Sequence, residues 1–225
     1  IKLIKRAIKG SSMQVHQIGG LAFDSNIYLI IDEVITLIDA GTGMNFETVK
    51  RNLSKFNLTA NDVELIINTH CHYDHVGGDR DFVEAAGCEV AIHELEAELL
   101  RKGDQIITLA GGLGRRLEPI EVARELHDGD RVKLGELMLE VLHTPGHTQG
   151  SISLYEPERK ILFSGDTLFY GGVGRTDLPT SDGKALANSL RRLAKLELER
   201  LYPGHGPFAE KGARRHVLEA LELFG

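Results

Sequence analysis

The chain has 225 residues, 42% of them hydrophobic and 26% charged, the proportions of a globular protein with enough apolar material for a sizeable core. Its formal net charge is −7, and Lys and Arg are scattered rather than clustered, which argues against a nucleic-acid partner. No apolar run approaches the ~20 residues of a membrane span, and the basic opening "IKLIKRAIKGSSMQV" lacks the apolar stretch of a signal peptide, so no membrane association is expected.

That opening reads as a short edge strand. "MQVHQIGG", "NIYLIID" and "VITLIDAG" are short, β-branched and separated by turn residues, which predicts a meander of strands. A helix follows over "NFETVKRNLSKF", with Phe46, Val49, Leu53 and Phe56 at helical spacing. "DVELIINTH" is the next strand, and its unbroken apolar character predicts burial on both faces.

The residues after it, "HCHYDHVGG", carry chemistry. If the strand stays extended into His70, then His70 and His72 project to one side, because strand side chains alternate. Asp74 and His75 follow at a turn and can point back to the same place. Nitrogen and oxygen donors converging in this way suit zinc, manganese or iron. Cys71 lies between the candidate ligands, but alternation turns its thiol away into packing. The other cysteine, Cys88, is distant and no CxxC pattern occurs, so a reducing, cytoplasmic setting without a disulfide is the default.

Residues 79–86 and 94–101 read as helices with "CEVAIH" as a strand between them. Residues 103–119, "GDQIITLAGGLGRRLEP", are weakly periodic and glycine-bearing, the pattern of a flap beside a binding site. The second half repeats the plan. "RVKLGELMLEVLHT", "SISLYEP" and "KILFSGD" are strands, and "SDGKALANSLRRLAKLE" is a helix capped by Ser181 or Asp182. "ERLYPGHG" is a last strand, before a tail helix with Ala213, Val217, Leu218 and Leu221 on one stripe. Strands then helix, twice over and with no linker, predict one domain over residues 1–225: two sheets face to face, helices outside.

Each later strand exit offers a polar residue beside glycine: His143 and His147 in "HTPGHTQGS", Asp166 in "FSGDTLF" and His205 in "YPGHGP". Loops at one edge of a layered fold gather, so these donors can meet the first cluster.

On these motifs the sequence resembles the metallo-β-lactamase superfamily over nearly its whole length. The resemblance implies a four-layer αββα sandwich of two mixed β-sheets flanked by helices. It also implies two divalent metal ions: one held by His70, His72 and His147, a second by Asp74, His75 and His205, with Asp166 bridging. Zinc is the expected metal, with iron or manganese as alternatives. Thr69 matches the threonine that precedes the first histidine, and His143 is expected to support the site from behind the ligands. Two such ions can share a hydroxide whose pKa falls toward neutrality; Asp74 and Asp166 are the expected catalytic carboxylates, and no serine or cysteine nucleophile is needed.

Within the superfamily, Asp166 stands where the main β-lactamases carry Cys. The run "SGDTLFYGGVGRTDLP" resembles glyoxalase II-like hydrolases of the short type, without the full C-terminal helical region. That resemblance implies hydrolysis of a small-molecule thioester such as a hydroxyacylglutathione, with Arg175 anchoring the thiol carrier. The alternative for Arg175 is an ion pair with Asp177, and Tyr170 is the nearby tyrosine that could meet substrate. The closest rival is a persulfide dioxygenase holding one iron on His70, His147 and Asp166; such enzymes tend to carry GDAL and YPAHDY where this chain has "GDTL" and "YPGHG". A lactonase and an RNase Z-like nuclease are weaker alternatives.

Overall fold

The computed structural model describes residues 14–224, so the expected opening edge strand lies outside the described residues. The first sheet contains β1 (Gln14–Gln17), β2 (Tyr28–Ile31), β3 (Thr36–Ile38), β4 (Leu65–Ile67), β5 (Glu89–His93) and β6 (Arg124–Leu126), in that spatial order. Its first three strands pair antiparallel, β1 to β2 across the loop 18–27 and β2 to β3 across the short turn 32–35. From β3 onward pairing is parallel, which requires crossovers. These are made by α1 (Phe46–Ser54), then α2 (Tyr73–Val76) with α3 (Asp79–Ala86), then α4 (Glu94–Lys102). The second sheet has the order β11-β10-β9-β8-β7, formed by β7 (Arg131–Lys133), β8 (Met138–His143), β9 (Ile152–Glu156), β10 (Ile161–Gly165) and β11 (Arg200–Pro203). Only its β10–β11 pair is parallel, joined through α5 (Gly183–Leu193), and α6 (Ala213–Glu222) follows β11.

Strand alternation sorts the core into layers. In β4, Leu65 and Ile67 face the second sheet, where they meet a cluster that includes Leu139, Ile152 and Phe163. Ile66, between them, faces outward into the cluster holding Val49, Leu53 and Phe82 of α1 and α3. On the far side, Leu162 and Leu201 turn outward onto Leu186 and Leu190 of α5 and Val217 of α6. The expected αββα sandwich is the observed architecture.

Several boundaries differ from the sequence expectation. The predicted strand over 131–144 is the hairpin β7–β8, and β6 was not foreseen, being only Arg124–Leu126. Asp182, not Ser181, caps α5, accepting from the Lys184 and Ala185 backbone N–H groups. In α6 the buried stripe is Ala213, His216, Val217 and Ala220, whereas Leu218 is exposed. Leu218 is apolar but lies off the inward arc that the 3.6-residue period gives to Ala213, Val217 and Ala220.

Candidate metal centre

The strand expected to reach His70 ends at Ile67. The Asn68 N–H still bonds the Ala91 carbonyl at 2.9 Å, but the Thr69 N–H is taken by Asp39 Oδ1 at 2.8 Å, which ends the ladder. His70 and His72 therefore sit on an irregular exit, and their rings meet there all the same. The predicted turn at Asp74 and His75 is the single-turn helix α2, with an extended His72 (φ −64°, ψ 144°) as its N-cap. Gly78 lets this turn press on the first sheet, since a Cβ there would collide with the Ala40 carbonyl. A Cβ at Gly204 would likewise run into Asp166 Oδ1, so a glycine must precede His205. His147 comes from the β8–β9 loop, Asp166 from the end of β10 and His205 from the end of β11.

The chain brings all these donors together. Ligand atoms of His70, His72 and His147 form one group, those of Asp74, His75 and His205 another, and Asp166 groups with His70 and His75. In the first, His72 Nδ1 lies 3.1 Å from His70 Nε2 and 2.9 Å from His147 Nε2. In the second, His205 Nε2 lies 3.3 Å from His75 Nε2 and 3.0 Å from Asp74 Oδ2. Asp166 stands between them: Oδ2 is 3.4 Å from His147 Nε2, and Oδ1 is 3.4 Å from His75 Nε2.

The outer hydrogen bonds fix which nitrogens carry protons. The Arg175 carbonyl can only accept, so His147 Nδ1 donates to it at 2.9 Å. His75 Nδ1 donates to Asp39 Oδ2 at 2.9 Å. The Thr69 hydroxyl gives its proton to Asp39 at 2.9 Å, so it accepts from His70 Nδ1 at 3.2 Å. With Nδ1 so engaged, Nε2 of His70, His75 and His147 is the ring nitrogen that faces inward, the orientation a ligand needs.

Two observations show that a metal pair fits. A tetrahedral ion with bonds of about 2.0–2.1 Å keeps its donor atoms roughly 3.3 Å apart, close to the spacings here. In addition, Asp166 Oδ1 is buried without a protein hydrogen-bond partner. A buried carboxylate oxygen facing ring nitrogens is costly unless a cation compensates it.

Electrostatics agree. Burial, with the neighbouring imidazoles His75, His72 and His147, pushes His70 well below the usual histidine range. Burial and His147 bring His72 down to about 3. For His75 burial acts downward too, but the carboxylates of Asp39, Asp166 and Asp74 outweigh it and hold this imidazole well above its ordinary value. Burial would raise Asp166, yet His75, His147 and His205 outweigh that and lower it. A metal entering beside His75 must therefore displace a proton.

Other expected residues fall as follows. Residues Leu109 and Leu113 of the 103–119 segment line the cavity above the donors, so the segment borders the mouth. Arg175 also lines this cavity, but its guanidinium makes two 2.9 Å bonds to Asp177, the ion pair foreseen as the alternative. Tyr170 does not line it: its ring packs on His216 with centroids 4.2 Å apart. Phe169 pairs with Gly172, so Tyr170 sits at the tip of a tight turn and points away while Phe169 and Val173 on either side line the cavity. His143 touches no ligand; it donates from Nε2 to the Gln149 carbonyl at 2.8 Å and stacks on His93 at 4.2 Å, bracing the loop that carries His147. Cys71 and Cys88 are free and buried.

Two supporting residues were missed. Asp39 is one, although "LIDAG" is itself a polar strand exit beside glycine, the signal used for the others. Glu96 is the second: fully buried, it accepts from Cys71 N at 2.8 Å and Gly150 N at 3.1 Å, tying the loops of His72 and His147 to α4. Nothing in "HELEAELLRK" separates it from a solvated helical glutamate.

A fold of two helix-flanked sheets with histidines and aspartates gathered at strand exits defines a class of metalloprotein. The family model for the metallo-β-lactamase superfamily matches residues 20–205, and the chain belongs to that superfamily. It is 39% identical over 202 residues to a probable metallo-hydrolase of Methanocaldococcus jannaschii, covering 88% of this chain and 95% of that one. It is 36% identical over 170 residues to the human acyl-coenzyme A thioesterase MBLAC2, covering 67% of this chain and 58% of that one. With a hydroxyacylglutathione hydrolase of Rhodospirillum rubrum it shares 35% identity over 199 residues, 87% of this chain and 67% of that one. Among solved structures, TTHA1623 in a di-iron-bound form matches with a TM-score of 0.72 and 38% identity, over 87% of this chain and 93% of that one. The cluster gathers His and Asp donors that could hold metal ions, in two groups with Asp166 between them. Among the described residues, no helix is long and apolar enough to cross a membrane.

Proposed function

We propose that the protein is a metal-dependent hydrolase of thioesters, of the hydroxyacylglutathione hydrolase-like kind. The observation that carries it is the convergence of both donor groups around Asp166, with His72, Asp74, His147, Asp166 and His205 lining one cavity of about 350 Å³. In this reading His70, His72 and His147 would hold one ion and Asp74, His75 and His205 the other, with Asp166 placed between the two groups. Zinc suits so imidazole-rich a set, as do iron and manganese. When bound, the ions lower the pKa of water and polarise a carbonyl oxygen.

The chain's own residues do the rest. Asp74 lines the cavity and is placed to accept a proton from attacking water. Asp166 keeps the two histidine groups together, and Asp39 with Thr69 holds His75 and His70 in the ligating tautomer. Among the described residues lining the cavity there is no serine, cysteine, lysine or tyrosine. An alkoxide or amine leaving group calls for such an acid, whereas a thiolate of pKa near ~8.5 departs unaided. The relatives named as thioesterase and hydroxyacylglutathione hydrolase support the same bond. Arg175, at the cavity edge, is the proposed contact for a carrier carboxylate or phosphate, reached by exchanging Asp177 for the substrate. The free, buried thiols fit a reducing, cytoplasmic setting.

The test runs two substrates side by side on metal-loaded protein: thiol release from an acyl-glutathione, and oxygen uptake with glutathione persulfide. Thiol release that Asp166→Ala abolishes is expected. Oxygen uptake without thiol release would replace the hydrolase by a mononuclear iron dioxygenase.

A further inference from the structure

Apart from the donors and Arg175, every residue lining the cavity is apolar: Phe23, Leu109, Leu113, Phe169, Val173 and Leu178. No asparagine, glutamine, serine or threonine stands among them to meet a hydroxyl or a peptide group on the acyl side. Such walls sort ligands by apolar contact, with a few polar groups setting orientation.

These walls are held in place at a cost. Leu109 has φ +64°, a left-handed conformation that strains a leucine, and Ala22, just before Phe23, has φ +58°. Both segments hang from the helix that carries Asp74 and His75: Ser25 N donates to the Asp74 carbonyl at 2.9 Å, and Tyr73 N donates to the Thr108 carbonyl at 2.8 Å. Phe23 is 74% exposed and Leu113 50% exposed, so large apolar groups stand in water beside the metal centre. Asp24 fixes the first of these positions, accepting from Thr42 N at 3.0 Å and Asn45 Nδ2 at 2.9 Å. Strain and exposed apolar surface at the same mouth have a common explanation in a ligand that covers them.

We propose that the cleft formed by Phe23, Leu109, Leu113 and Phe169 binds an unbranched aliphatic acyl chain, so that the favoured substrates are fatty acyl thioesters rather than 2-hydroxyacyl ones. The inference rests on the thioesterase reading and narrows it. Full burial of a methylene gives roughly fourfold in affinity, and a cleft open on one side about half that in free energy, hence about twofold per methylene.

The experiment measures kcat/KM of the metal-loaded protein with acetyl, propanoyl, butanoyl, hexanoyl and D-lactoyl thioesters of one carrier, glutathione. The expected result is a rise of about twofold per methylene, roughly 16-fold from acetyl to hexanoyl, with propanoyl ahead of D-lactoyl. Phe23→Ala and Leu113→Ala, both at exposed positions that tolerate truncation, should each lower the hexanoyl-to-acetyl ratio. Binding of butanoate, hexanoate and octanoate, followed by calorimetry, should tighten along the series by a similar factor. Hydrolysis of the acetyl and D-lactoyl thioesters with no gain along the series, or D-lactoyl ahead of propanoyl, overturns the inference and leaves the thioesterase reading standing. Failure to cleave any of them overturns both.

Discussion

Glu96 is a long way from substrate, yet its replacement should be felt at the metals. Its two oxygens are both committed, Oε2 to the Cys71 N–H at 2.8 Å and Oε1 to the Gly150 N–H at 3.1 Å. Glu96→Gln keeps one acceptor and sets an NH2 group against the other N–H, leaving a buried donor unmet at about 1–3 kcal/mol. A counter-term exists, because burial pushes the Glu96 carboxyl above its ordinary range despite those hydrogen bonds, and a neutral amide escapes that penalty. The unmet donor wins, since the amide relieves only the part of that cost the hydrogen bonds leave uncompensated; a net loss of about 1 kcal/mol is expected for Gln. Glu96→Ala strands both donors and should lose about 4 kcal/mol. Because these bonds tie the loop of His70 and His72 to that of His147, the Gln variant should also lose about tenfold or more in metal affinity. Urea unfolding of the metal-free protein reads the first quantity, and competition with a chelating dye reads the second. A Gln variant equal to the parent in both would show that the two loops are held by something else.

Asp39→Asn leaves one acceptor where Asp39 uses two, and with that oxygen kept for the Thr69 N–H the amide NH2 faces His75 Nδ1; metal affinity should fall about 10–100-fold, which competition titration would register. His93 is brought down to about 4 by burial and by His143 stacked on it, while an unfolded imidazole takes its proton near 6.5. The folded pKa is the lower one, so stability of the metal-free protein should fall with pH below 6.5, by about 1.4 kcal/mol per unit and about 3 kcal/mol in total at pH 4. His93→Asn, which retains an acceptor for the Leu95 N–H, should flatten that part of the profile. Arg175→Ala should raise KM several-fold for a glutathione thioester with little change in kcat, and Asp177→Asn, by freeing the guanidinium, should lower KM; equal kinetics for both variants would make the pair purely structural.

The donors were legible because metal chemistry restricts residue type and the strand exits restrict position. "HCHYDH" could be read as a cluster without knowing that its backbone leaves the sheet at Thr69, since the convergence survives the change from strand to loop and helix. The layers were legible for a similar reason: in β4 an alternating burial against two different clusters needs apolar residues at every position. What could not be read depends on contacts distant in sequence. Glu96 is buried only because the loops of Cys71 and Gly150 close over it. Tyr170 turned away because His216, from the tail helix, offers its ring a face. Leu218 faces solvent although it is as apolar as its neighbours, because the helix's inward arc is filled by Ala213, His216, Val217 and Ala220.

Two ions, held by both donor groups, are expected to act together on a thioester. Titrating metal-free protein with zinc while following thiol release from an acyl-glutathione tests it most directly. Activity that climbs to a plateau at two ions per chain is the predicted result; full activity reached at one ion per chain, unchanged by a second, would contradict it.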